Sequence, residues 1–373
     1  MYAQLHQERV TDVDGVKYLS RYEDVSAMLN HPEMSNKQVI PIGAPLRESI
    51  LLQDPPDHGR IRATVGKMLN KQPIEKFRND VTAFAHRLIS DVKPDGEMDF
   101  VSQVAKKMPL LSLKSLFGIS EEEILELTFH INNWVSRRAS NDTEEKIRHA
   151  EFQDLYAILV FFRKVIKHRL SEPQHHTKDL LSNLIHSQGA EVISEAEFMD
   201  MCLLLTIGGI ETTSTALSSV VMMLERHQNL KRMACEDVTT LNNFIDETLR
   251  LESPFKHSTP RFAKVNLEIN GIHFPAGTQV VALFGAANRD PAVFEAPDEL
   301  KIDRKGKPHL GFGFGIHYCV GVHFARLQLQ AVIETLFNQL PDWELKDRDR
   351  ELKWVPNPLI RGLFELPMRW TAR

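Results

Sequence analysis

Only three cysteines stand among the 373 residues, Cys202, Cys235 and Cys319, and no two form a C-x-x-C pair. That scarcity argues against a disulfide framework and fits a reducing compartment. Positive charge is also not in excess. Lys and Arg number 45 against 50 Asp and Glu, a net −5, so no basic field points to nucleic acid. No apolar run approaches the roughly 18 residues needed to cross a bilayer. The opening MYAQLHQERVTDVDG lacks the charged-then-apolar pattern of a secretion signal. Repeats, low-complexity tracts and linkers are missing too, so one domain over residues 1–373 is expected. What remains, 42% hydrophobic and 25% charged residues, is an ordinary globular balance. The expectation is a soluble cytoplasmic protein with no membrane anchor.

Two β signals flank a long helical region. VTDVDGVKYLS alternates around Asp14-Gly15, and VNLEINGIHFPAGTQVVALF around Asn270-Gly271, both suited to hairpin turns that need positive φ. Between about residues 22 and 250 helix formers dominate. Ser120 with Glu123, and Ser194 with Glu197, have capping-box spacing. The segment from Ser194 to about His227 predicts a helix roughly 50 Å long. Its first half, FMDMCLLLTI, is apolar on nearly every side and so belongs in a core. ANRDPAVFEAPDELKIDRKGKPH has no period, and so long a coil is usually functional. A last helix is expected from about Val320 to Leu340, then a short β-like tail.

The residues HLGFGFGIHYCVGVHFAR, 309–326, carry the most information. Glycines recur at Gly311, Gly313 and Gly315, and the lone Cys319 follows at the mouth of a helix. Free N–H groups and the helix dipole there favour a thiolate. The glycines and Gly321 allow the backbone to approach a large flat group without Cβ clashes. Three readings compete. A dinucleotide loop has the wrong spacing and no following βαβ unit. Zinc could draw on His309, His317, Cys319 and His323, but structural zinc favours ligands on two separated arms. A single axial thiolate to haem iron needs one cysteine, a glycine-rich approach and basic groups for the propionates.

Phe312-x-x-Gly315-x-His317-x-Cys319-x-Gly321, followed by Ala325-Arg326, resembles the haem loop of the cytochrome P-450 family. The resemblance implies a mainly α fold with a minor β subdomain, a helical triangular prism with a long central helix over the haem. It implies haem b with Cys319 as the proximal metal ligand and Phe312 packed beside its sulfur. Other family motifs recur in order. Asp54-Pro55-Pro56-Asp57-His58 with Arg62, then Arg261, then His317, would supply His58, Arg62, Arg261 and His317 to the propionates. Glu247, Arg250 and Arg304 would form a buried structural ion pair and its third member. On its own the Glu247–Arg250 spacing is any helix's i,i+3 pair.

Gly208-Gly209-Ile210-Glu211-Thr212-Thr213 looks like the distal oxygen-activation motif. Two mid-helix glycines each cost about 1 kcal/mol relative to alanine, and space for a ligand above Gly209 would explain them. Glu211 and Thr212 would then be the catalytic proton relay. The bland reading has Thr212 and Thr213 back-bonding to carbonyls and Glu211 pairing with a surface arginine. The sequence departs from many relatives at Gln328, where Glu is frequent, and at Ile210, where bacterial members often have His.

The activity so implied is that of a monooxygenase, using O2 as cosubstrate and putting one oxygen atom into a lipophilic small molecule. Electrons would come from NAD(P)H through a separate ferredoxin or flavodoxin and its reductase, with Lys305, Lys307, His323 and Arg326 on the docking face. The substrate pocket would draw on the loop QVIPIGAPLRES (38–49), on Leu205, Phe255, Lys256 and His257, and on Leu359 and Ile360. Lys256 and His257 meet either a polar substrate group or solvent. A monomer is expected. The rivals are a peroxide-driven peroxygenase, a haem enzyme that never activates O2, and a zinc or haem sensor.

Overall fold

Asp14 and Gly15 take φ of 51° and 80°, and the chain turns back on itself there. In the computed structural model, which describes residues 2–38, 42, 44–137, 144–171, 179–186, 193–347 and 351–371, helix α1 (Tyr2–Glu8) leads into β1 (Val10–Val13) and β2 (Val16–Leu19). Val13 stands opposite Val16 in that hairpin. Among the described residues the stretch to residue 251 is helical apart from the short strands β3 (Met34–Ser35) and β4 (Glu97–Asp99) and the loops between elements. Its helices are α2 (Tyr22–Asn30), α3 (Asp57–Leu69), α4 (Lys71–Glu75), α5 (Arg78–Val92), α6 (Lys107–Phe117) and α7 (Glu121–Arg137). After them come α8 (Glu144–Ser171), α9 (Leu180–His186), α10 (Glu195–Arg226), α11 (Gln228–Glu236) and α12 (Val238–Leu251).

The chain then returns to β structure with β5 (Arg261–Ala263), β6 (Leu267–Ile269), β7 (Ile272–Phe274) and β8 (Gln279–Ala282). Asn270 and Gly271, at φ 51° and 79°, close the β6–β7 hairpin. One turn of helix, α13 (Phe284–Ala287), opens the long coil, and α14 (Val322–Gln339) ends it. That last helix starts two residues later than its sequence predicts. The tail supplies β9 (Glu344–Leu345) and β10 (Pro367–Arg369). The larger sheet runs β1-β2-β8-β5-β3, with β8 parallel to β2 and antiparallel to β5.

Both capping boxes are present. Ser194 accepts from the N–H of Glu197 while Glu197 accepts from the N–H of Ser194. Ser120 and Glu123 exchange the same pair of bonds. Helix α10 is the central element, and Met201, Cys202, Leu203, Leu217, Val220, Val221, Met222 and Leu224 on it are each 1% exposed or less. Burying such a side chain contributes about 1.5–3 kcal/mol, so α10 is held by packing rather than propensity. The expectation that nothing here is apolar enough for a bilayer needs correction. Over 18 residues α10 passes that test, because Gly, Ser and Thr interrupt its apolar runs without charging them, yet 72% of that window is buried inside the protein. A smaller apolar cluster around Leu19, Tyr22, Val280 and Phe284 knits the main sheet to α2 and α13.

Candidate active site

Two packed segments frame the site, the glycine-rich loop before α14 and the middle of α10, and α10 packs against α14. The loop is closed by its own backbone. Cys319 N–H donates to the Phe312 carbonyl at 2.8 Å, and Gly313 N–H to the Leu310 carbonyl at 2.9 Å. Asn288 anchors the loop's start, its side chain accepting from Leu310 N–H at 2.6 Å.

The glycines divide into two kinds. A Cβ on Gly311 would lie 3.0 Å from the Leu249 carbonyl, and one on Gly315 would lie 2.8 Å from that of Leu29. These glycines seat the loop on the protein itself, on α12 and α2, rather than against a bound group. Around Gly208, Gly209 and Gly321 an added Cβ would meet nothing within 4 Å. Open space therefore lies over mid-α10 and at the start of α14, beside Cys319.

Cys319 is half-buried. Burial pushes its thiol up, opposed by the N–H of Gly321 and the charge of Arg62. A bound metal ion deprotonates such a thiol outright. Phe312 is half-buried. Its ring lies between His309 and Tyr318, with centroids at 5.7 and 6.3 Å, and the Arg326 guanidinium is 5.4 Å from its centre.

Around the first turn of α3 four basic side chains converge. The rings of His58 and His317 are 4.4 Å apart between centroids. Arg62 donates to the Tyr318 carbonyl at 2.5 Å. Burial, then the charges of Arg62 and Arg261, pull His58 down to about 4. Burial, Arg261, His58 and Arg62 pull His317 down to about 2. Arg261 is pushed down to about 10, chiefly by burial. His58 Nε2 and Arg261 Nη1 are buried with no hydrogen-bond partner in the protein. Two buried basic groups, His58 and Arg261, and two half-buried ones, Arg62 and His317, whose charges hold both histidines down and which leave two ring or guanidinium nitrogens unpartnered, call for anionic partners. The two carboxylates of a haem meet that need, and the open glycine faces and the single thiol fit the rest of the group. Zinc does not fit. Among the described residues no three His, Cys, Asp or Glu side chains come together to hold a metal ion. His309 sits by Asp246 instead.

On α10 the Thr212 hydroxyl donates to the carbonyl of Gly208, one turn back. This is the back-bond of the bland reading, and it leaves the hydroxyl's lone pairs available as acceptors. Glu211 is half-buried.

Glu247 and Arg250 meet in a bidentate pair, 2.9 and 2.8 Å. Arg304 Nε donates to the same Glu247 oxygen at 2.9 Å. Arg250 also donates to the carbonyls of Asn288, Pro297 and Glu299, and Arg304 to that of Glu295. The irregular coil is thereby stapled to α12 through its carbonyls. Gln328 is 3% exposed, and its amide donates to the Phe324 carbonyl.

The expected pocket segments are brought together in part. Phe255 and Ile360 form an antiparallel bridge, and Lys256 N–H donates to the Leu359 carbonyl. Phe255, however, packs against the smaller apolar cluster. Lys256 is exposed, and its ammonium donates to the Asn357 carbonyl at 2.6 Å. His257 Nδ1 lies 2.8 Å from the Ser258 carbonyl. Leu205 is half-buried against the main core, and Leu359 is half-buried. Of the 38–49 loop, residues 39–41 and 43 lie outside the described residues. On the expected docking face Lys307 is paired with Glu23 and Arg326 with Asp246 at 2.8 Å. Sequence reasoning missed Asn288 and Asp246, whose contacts with Leu310 and Arg326 are distant along the chain.

Open mid-helix glycines on α10, a thiol-bearing loop before α14 and a basic cluster with unpartnered nitrogens are the features that a haem-thiolate protein requires. The chain matches the family model Cytochrome P450 over residues 14–357 and belongs to that family. It is 30% identical over 362 residues to mycinamicin IV hydroxylase/epoxidase of Micromonospora griseorubida, covering 94% of this chain and 89% of that one. It is 29% identical over 361 residues to cytochrome P450 109 of Bacillus spizizenii, at 95% and 86% coverage. The crystal structure of P450BioI with an acyl carrier protein ligated to hexadec-9Z-enoic acid has a TM-score of 0.88, 26% identity and coverage of 99% and 97%. The cofactor is haem iron with a thiolate ligand, and the activity is that of a monooxygenase using O2.

Proposed function

We propose that the chain holds haem b through Cys319 and oxygenates a lipophilic small molecule above Gly209. The observation that carries this reading is the cluster of His58, Arg62, Arg261 and His317 with its orphaned donors. These side chains would bind the two propionates by charge-assisted hydrogen bonds. When bound, the haem supplies O2 binding and reductive activation, with the thiolate favouring O–O cleavage.

The residues of α10 supply protons. Glu211 takes them from the solvent side, and Thr212 accepts and hands on one proton at its hydroxyl, giving up the bond to the Gly208 carbonyl. Apolar side chains such as Leu205 and Ile360 exclude water and position the substrate.

Electrons reach the site from NAD(P)H through a separate ferredoxin or flavodoxin and its reductase, and the enzyme works as a cytoplasmic, single-domain monomer. Docking uses the face that carries Lys305, His323 and Arg326. Arg326 there must exchange Asp246 for a carboxylate of the donor. With ferredoxin, reductase and NADPH under carbon monoxide, the parent is expected to form its reduced CO complex. Lys305→Glu with Arg326→Glu is expected to slow this about tenfold at low salt, with dithionite reduction unchanged. Equal rates would remove this docking face. A peroxygenase reading, the second choice, gains support only if peroxide alone matches turnover with the full electron chain.

A further inference from the structure

Asp200 lies in the second turn of α10, 5% exposed, and takes no part in the chemistry above. Its carboxylate accepts two backbone hydrogen bonds from the segment 44–49, from Leu46 N–H at 3.0 Å and from Glu48 N–H at 2.7 Å. Among the described residues no cation is paired with it. Burial pushes its carboxyl up, the two amides pull it down, and the nearby Glu48 opposes its charge. Glu48 is itself paired with Arg47 at 3.2 Å.

The chain so held is strained. Leu46 has φ +69°, a left-handed conformation that costs a non-glycine residue about 1 kcal/mol or more and persists only where its surroundings enforce it. The same face of α10 holds the chain again three residues earlier, where Glu197 accepts from Arg60 at 3.0 Å. Asp200 precedes Gly208 by eight residues, about 12 Å along the helix. The segment it grips leads through Gln53 and Asp54 to His58.

We propose that Asp200 is a positioning residue that latches segment 44–49 onto α10 and so sets how readily a ligand enters the site over Gly208 and Gly209. This rests on the haem-site reading for the location of that site. The latch itself does not need it. A buried carboxylate with amide partners alone is an expensive anchor for a surface segment, and the strain at Leu46 supplies a restoring force once it lets go.

The test uses the holoenzyme and its Asp200→Asn variant, which keeps the shape but turns one acceptor toward an N–H as a donor. Amide hydrogen exchange over residues 44–53 is expected to be about tenfold faster in the variant, with α10 beyond residue 203 unchanged. Stopped-flow binding of 4-phenylimidazole is expected to show association and dissociation each about fivefold faster, with Kd within about twofold. Unchanged exchange overturns the latch. Faster exchange with unaltered azole rates overturns its control of entry. Should the variant not fold, exchange in the parent decides. Protection at Leu46 and Glu48 of about a hundredfold supports the latch, and unprotected amides there overturn it. Loss of the haem-site reading would appear separately, as a parent protein without a thiolate-type CO band.

Discussion

Glu247→Ala is expected to cost about 3–5 kcal/mol, the penalty for stranding one partner of a buried ion pair. Arg250 is 1% exposed, and it would keep its carbonyl partners but lose its counter-charge. Arg304 Nε and Lys301 N–H would lose the same acceptor. Whole domains are stable by only about 5–15 kcal/mol, so little of this variant should accumulate folded. Urea midpoints and soluble yield measure the effect. Arg304→Ala should cost less, about 1.5–3 kcal/mol, because the Glu247–Arg250 pair survives it. A midpoint unchanged by Glu247→Ala would mean that the staple contributes nothing to the stability of the coil it joins to α12.

Thr212→Ala is expected to lower product formed per NADPH about tenfold, the conservative end of what a positioned proton donor contributes. Oxygen consumption should change less than about twofold, with the difference released as hydrogen peroxide. Of the side chains on that turn, Gly208, Gly209 and Ile210 carry no proton, so after Glu211 the Thr212 hydroxyl is the group placed to accept one and hand it on. Thr212→Ser retains the hydroxyl and should restore coupling. Because the back-bond to Gly208 already satisfies the side chain, Thr212→Ala should leave the thermal midpoint nearly unchanged. A coupled Thr212→Ala variant would reduce Thr212 to the back-bonding role that the bland reading gives it.

The parts of this molecule legible in its sequence are those with local physics. Asp14-Gly15 and Asn270-Gly271 must turn because few other residues tolerate their φ. Ser194 and Glu197 mark the start of α10 because three residues of helix bring them together. The Cys319 loop was recognisable because one thiol and its glycines fall within a dozen residues. What escaped detection depends on partners far along the chain. Asp200 meets Leu46 and Glu48 across some 150 residues, and Asp246 meets Arg326 across 80. No periodicity announces such pairs. The pocket was only half legible for a related reason. A β-bridge does pair Phe255 with Ile360, but which side faces the substrate depends on what packs behind it, and behind Phe255 lies the smaller core.

The central claim is that Cys319, as a thiolate, holds haem iron beneath the open glycine turn of α10. The most direct test is the CO-difference spectrum of the dithionite-reduced protein beside that of Cys319→Ser. The account predicts a strongly red-shifted Soret band in the parent and its loss in the variant. The same band in both proteins, or no haem band in either, would contradict it.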